Sequence, residues 1–336
     1  MYYVQAIGKH FFRHGTEECS DCLLVPVAQP GQHPPPLGMN WVVATLVSAF
    51  FLGVYELAIK HAVRDNAVLP VLFLANVCSA AVWLTLLAIQ RTHPAALPEM
   101  FLVAPLSPFQ HAQLFLKSFI VAASWVCTYF AVKHLPLSIA SPIRASAPIW
   151  TTIGALVFLA ERPSLLELLG VAITLASFVL LSLAGRREGV HFHTNQWVWW
   201  SFAGAVLGAT SMLYDKYLLG RAGYAVSTVQ AWFVIYLAVL FLPLAVGWKY
   251  RWWQRNPFHW RWSVLLLSIS LLIADFVYFT ALRDPHALVS LVSSLRRGST
   301  LVAFGGSILF YGEHQDRWKF LAVVGVLGGI ALTLMG

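Results

Sequence analysis

The sequence predicts an all-α integral membrane protein, with ten transmembrane helices arranged as two inverted five-helix repeats. Sparse and segregated charge, ten apolar runs of spanning length and an ordered internal repeat all point to it. Of the 336 residues, 59% are hydrophobic and 11% charged, where soluble domains carry about a quarter charged residues. Stretches 66–90, 189–214 and 222–248 hold no Lys, Arg, Asp or Glu, and each crosses a hydrocarbon core of about 30 Å as a helix. Only helices and closed barrels satisfy their peptide groups inside a bilayer, and these runs are too long and uniform for barrel strands.

Taken in order, the spans fall at 41–60, 67–89, 114–134, 137–160, 164–184, 197–219, 225–247, 262–282, 286–310 and 318–335. Trp41, Trp197, Trp199, Trp252, Trp253, Trp260 and Trp318 lie at their ends, where an interface holds tryptophan. Residues 1–38 form a tail ending in Pro34-Pro35-Pro36, expected to be disordered. Met39 directly precedes the first span, which makes the tail a candidate upstream extension. Its Cys19 and Cys22, near His10, His14 and His33, make a lone CxxC, a weak metal or redox signal. The formal charge is +8, but Lys and Arg are scattered over short loops, which excludes a nucleic-acid surface.

The repeat divides the chain into residues 39–186 and 187–336. Trp41 and Lys60 stand to Trp197 and Lys216 at one common offset. Tyr129, Phe130 and Pro136 stand to Tyr278, Phe279 and Pro285 at a slightly shorter one. Ser141, Arg144 and Glu161 stand to Ser293, Arg296 and Glu313 at a third. Because five is odd, the second half enters the membrane from the opposite side, the architecture of many alternating-access carriers. The positive-inside rule leans towards both termini outside, whereas carriers of this kind commonly keep them in the cytosol; the orientation stays open.

Arg144, Arg296 and Arg297 lie inside apolar spans. A guanidinium cannot shed its charge, and placing it in the bilayer costs at least ~2.5–3.5 kcal/mol. Pro142 and Pro148 loosen the helix around Arg144, and the Ser/Gly-rich run from Ser293 to Ser299 does the same around Arg296. Both helices are expected to break beside their arginine and to turn freed groups towards a cavity. One reading is an anion site in which Arg144, Arg296, Arg297 and Ser293 hold a carboxylate or phosphate. In the other, the arginines pair with Asp275 or Glu56 and lock helices together. Three arginines against two acids leave one positive charge over, which favours the anion site.

Asp275, with Tyr278 and Phe279 on its face, and Glu56 are candidates for proton coupling or fixed counter-ions. Asn76, Trp125, Tyr129 and Tyr278 are expected to line the cavity, with packing as the alternative for the aromatics. Glu161-Arg162-Pro163 and Glu313-His314 read as equivalent loop anchors or gates, and His191-Phe192-His193 as a surface turn. The chain has no Walker P-loop, no GxSxG and no intramembrane metal spacing. No enzyme activity, cofactor or metal is therefore expected, and transport draws on an ion gradient or on exchange.

Leu135-Pro136-Leu137-Ser138-Ile139-Ala140-Ser141-Pro142, then Pro148, Glu161-Arg162-Pro163 and Gly170, resemble the signature of the EamA family of the drug/metabolite transporter (DMT) superfamily. A more diverged copy spans 287–294, Glu313, Gly325, Gly328 and Gly329. The resemblance covers about residues 41–336 and implies a helical bundle around a central cavity in a bacterial inner (plasma) membrane. A narrower similarity joins Arg144 and Arg296-Arg297 to the basic residues with which plastid phosphate translocators of that superfamily hold phosphate, typically lysines at the first two positions. The expected function is a secondary active transporter of a small organic anion, by alternating access, with membrane lipid around it. The alternative is a flippase for an anionic lipid-linked substrate.

Overall fold

The computed structural model describes residues 40–63, 66–134, 143, 146–183, 195–252, 257–299, 301–302 and 317–335. The tail with Cys19 and Cys22, Arg144, His191, His193 and Glu313 lie outside the described residues, as do the side chains of Lys60 and Tyr129. Among the described residues all regular structure is helical: α1 (Trp41–Val63), α2 (Val68–Thr92), α3 (Pro108–His134), α4 (Ala147–Gly154), α5 (Leu165–Leu183), α6 (Gln196–Lys216), α7 (Val226–Lys249), α8 (Ser263–Arg283), α9 (Val289–Arg296) and α10 (Arg317–Met335). π turns prolong α4 over Ala155–Leu159 and α6 over Tyr217–Arg221. Among the described residues four helices, α1, α2, α7 and α8, are long and apolar enough to cross a membrane.

The helix starts follow from local chemistry. Asn40 and Asn195 cap α1 and α6, their side-chain oxygens accepting from Val42 N and Trp197 N at 3.0 Å each. Reciprocal capping boxes open α3, between Ser107 and Gln110, and α5, between Ser164 and Glu167. The box at Ser107 starts α3 at Pro108, well before the expected 114. Lys117 is thereby carried roughly 13 Å along the helix rather than left at its mouth.

The radial distribution of polarity reverses that of a soluble protein. Phe158, Leu165, Val157 and Leu169 are exposed on the outer surface, while Lys117, Asp215, Gln230 and Asn76 are buried. Lipid gives helices no hydrophobic reason to associate, so close backbone packing and interhelical hydrogen bonds must hold them. Helix α5 packs along α10, α1 along α8, α3 along α6 and α2 along α7. Ser48 Oγ of α1 donates to Ala274 O of α8 at 2.7 Å, and Ser124 Oγ of α3 to Gly204 O of α6 at 2.8 Å.

The α5–α10 contact depends on Gly329. A Cβ there would stand 2.7 Å from Gly170 O and 2.8 Å from Thr174 N, both backbone atoms. Gly329→Val is expected to destabilise the protein by about 1–3 kcal/mol, and thermal unfolding in detergent checks it. Gly328→Ala, facing open space, is expected to change nothing.

Two sets of connections are clasped. Asn66 Nδ2 donates to Ala62 O and His259 O, and its Oδ1 accepts from Ala67 N and His259 N. This joins the α1–α2 connection to the α7–α8 connection. Elsewhere, Lys216 Nζ at the end of α6 donates to Leu282 O, Asp284 O and Ala287 O at 3.1, 2.8 and 2.6 Å, holding the α8–α9 corner.

Candidate functional site

Arg296 is the last residue of α9; Arg297 and Gly298 turn, with Arg297 N bonded to Ser294 O at 3.1 Å. The expected break beside the arginine is therefore present in α9. Ahead of α4, Ser146 turns back onto Ile143 O, and Pro148 lies in the first turn of α4. Ser293 Oγ approaches Thr151 Oγ1 at 3.4 Å and ties α9 to α4.

Arg296 Nη2 donates to Asp275 Oδ1 at 2.9 Å, with the two side chains 13% and 14% exposed. Its guanidinium lies 3.9 Å over the centre of the Tyr278 ring, a stacking that a planar delocalised cation favours. The Tyr278 hydroxyl reaches Asp215 Oδ2 at 3.5 Å, and Asp215 Oδ1 pairs with Lys117 Nζ at 2.6 Å, the side chains 4% and 1% exposed. Lys117 Nζ also stands 4.0 Å over Phe233 and 4.9 Å over Phe279. Lys117, Asp215, Tyr278, Arg296 and Asp275 thus form one buried chain in which two cations balance two anions.

That chain revises the charge count taken from the sequence. Arg296 has a resident counter-ion, and Lys117 and Asp215 add a second ion pair inside the bundle. The Ser107–Gln110 capping box is the signal that would have placed Lys117 there. Guanidinium geometry leaves one opening: Arg296 Nε is buried and has no hydrogen-bond partner among the described residues. An orphaned donor on a buried cation is costly unless an acceptor reaches it.

The other candidates fall around this chain. Glu56 Oε1 accepts from Ser299 Oγ at 3.3 Å, tying α1 to the residues after α9. Trp125 stacks on Phe241 at 5.9 Å, a packing contact between α3 and α7. Asn76 lines a small cleft that also includes Asp275. Glu161, expected as a loop anchor, accepts from Val289 N at 2.6 Å, Ser290 N at 3.3 Å and Ser290 Oγ at 2.9 Å, and so caps α9. Among the described residues no group of three or more His, Cys, Asp or Glu could hold a metal ion.

An apolar outer shell around a charge-bearing helical interior defines a multi-pass membrane protein. Residues 39–183 match the EamA-like transporter family, a family of membrane transporters in the drug/metabolite transporter superfamily. A solved crystal structure is similar in fold, with a TM-score of 0.65 and 16% identity over 87% of this chain and 98% of its own. No curated protein matches the sequence.

Proposed function

We propose that the protein is a secondary active carrier of two inverted five-helix halves that moves a small organic anion by alternating access in the plasma membrane, with Arg296 as its binding group. The inverted repeat is supported by the helix pairings. The α1–α8, α3–α7 and α4–α6 contacts recur as α6–α3, α8–α2 and α9–α1 when the halves are exchanged. The offset that carries Trp41 onto Trp197 also carries Ser48 onto Gly204, and both residues mark the corresponding crossing.

The orphaned Nε of Arg296, beside a pair half made with Asp275, is the observation that carries the anion reading. A carboxylate or phosphate entering from the break after α9 meets a planar fork of donors. It replaces Asp275 on Arg296, and the released carboxylate then needs a positive partner of its own. Charge inside the bundle is conserved only if something accompanies the anion, which makes Asp275 the coupling group.

Thermal unfolding of the purified protein against phosphates, carboxylates, amino acids and nucleotide sugars tests this. A ligand at a hundred times its Kd stabilises by about 2.7 kcal/mol. At least one anion is expected to do so with the wild type and to lose its effect with Arg296→Gln. Undiminished protection of Arg296→Gln by the same anion would remove Arg296 from the site.

A further inference from the structure

A cleft between α2, α7 and α8 has room for roughly one water molecule. Its polar lining comes from Asn76 and Ser79 of α2, Gln230 of α7 and Asp275 of α8. Gln230 is 1% exposed, and its Nε2 donates to Leu272 O at 2.7 Å. That bond fixes which way the amide faces, because the reversed amide would set oxygen against oxygen. Gln230 Oε1 is left buried without a hydrogen-bond partner among the described residues. Asn76 is oriented in the same way, its Nδ2 donating to Leu72 O at 2.8 Å, so the carbonyl is its remaining polar end. Ser79 Oγ shares one hydrogen with Ser268 Oγ at 2.8 Å. Asp275 Oδ1 accepts from Arg296.

The amide nitrogens are thus engaged with backbone carbonyls, which leaves oxygens as the remaining polar ends in a cleft otherwise lined by Phe233, Val234, Leu237, Leu271 and Leu272. Whatever enters must bring positive charge or donors and be no larger than a water. A divalent ion takes several charged oxygens, whereas here a single carboxylate already shares its charge with an arginine. We propose that this cleft binds a small monovalent cation of the sodium class, held by Asp275, Gln230 and Asn76, and that this cation is the coupling ion. The coupling role, unlike the binding itself, rests on the reading of Arg296 as the anion group. A cation on Asp275 weakens its hold on Arg296 and frees the guanidinium for the anion, and the effect is reciprocal.

The test is thermal unfolding of the purified full-length protein in sodium chloride against choline chloride at equal ionic strength, with no anionic substrate added. Sodium is expected to raise the midpoint saturably and choline to leave it in place. Gln230→Leu is expected to raise the half-saturating sodium concentration by about tenfold or more. Arg296→Gln, which releases Asp275, is expected to lower it. Equal responses to sodium and choline, or stabilisation by acid alone, would overturn the site and leave a structural water in the cleft. So would an unchanged sodium response in Gln230→Leu. If Gln230→Leu does not fold, the wild-type comparison and Asn76→Ala decide the matter. Failure of every anion to protect the wild type, with the sodium response intact, would sink the anion reading and leave the cation site standing.

Discussion

Asp215→Asn, with Lys117 left in place, is expected to destabilise the protein by about 3–5 kcal/mol, because it strands a buried charge. Lys117 lies 1% exposed between Asp215 and two aromatic rings. Ring faces attract a cation but do not replace a carboxylate at 2.6 Å. Lys117→Met alone is expected to cost a similar amount, since among the described residues Asp215 then keeps only the distant Tyr278 hydroxyl. The double replacement Lys117→Met with Asp215→Leu is expected to recover most of the loss, because removing both charges of a buried pair is often near neutral. Thermal unfolding in detergent, followed by tryptophan fluorescence, reads all three. A double variant as damaged as either single one would mean that packing, not charge compensation, governs the site.

Glu161→Ala is expected to destabilise the start of α9 by about 2–3 kcal/mol, through the loss of charge-assisted bonds to buried donors. Glu161 is 8% exposed and accepts from two backbone amides and a hydroxyl at the positive end of that helix. Glu161→Gln keeps an acceptor and is expected to cost less. Hydrogen exchange at Val289 and Ser290 is the measurement, with acceleration at those amides and little change in α7. Since α9 ends in Arg296, loosening its first turn also loosens the anchor of the proposed site. Unchanged exchange would show that Lys216, which holds the preceding carbonyls, fixes the corner unaided.

The sequence made some of this site legible for a simple reason: an ionisable residue within an apolar run must find a partner. Arg296 and Asp275 stood out in that way, and Tyr278, one turn along from Asp275, lies under the guanidinium. Its neighbour Phe279 faces Lys117 instead, a difference of one helical position that no spacing argument resolved. Lys117 and Asp215 fall inside the expected spans but close to their ends, where an apolar run does not tell an embedded charge from one at the interface. The polar first turns of α3 read as loop in the sequence, whereas the Ser107 capping box extends the helix through them. Glu161 was legible as an anchor but not in its target, since Val289 lies 128 residues further along the chain. The cleft at Gln230 was invisible for another reason. Only hydrogen-bond geometry reveals which end of an amide is left over.

The repeat yielded more than the site because it is a relation between positions rather than a property of any one. Residue offsets match Trp41 with Trp197 and Arg144 with Arg296, and the helix pairings named above are compatible with the same exchange of halves. The central claim, that the halves enter the membrane from opposite sides, can be tested without knowing the substrate. Single cysteines are placed at Ala96, exposed in the α2–α3 connection, and at Tyr250, exposed at the end of α7. The background lacks Cys19, Cys22, Cys78 and Cys127, and intact cells are labelled with a membrane-impermeant maleimide. An inverted repeat puts these equivalent positions on opposite faces, so one is expected to label in intact cells and the other only after permeabilisation. Labelling of both from the same side would contradict the inverted architecture.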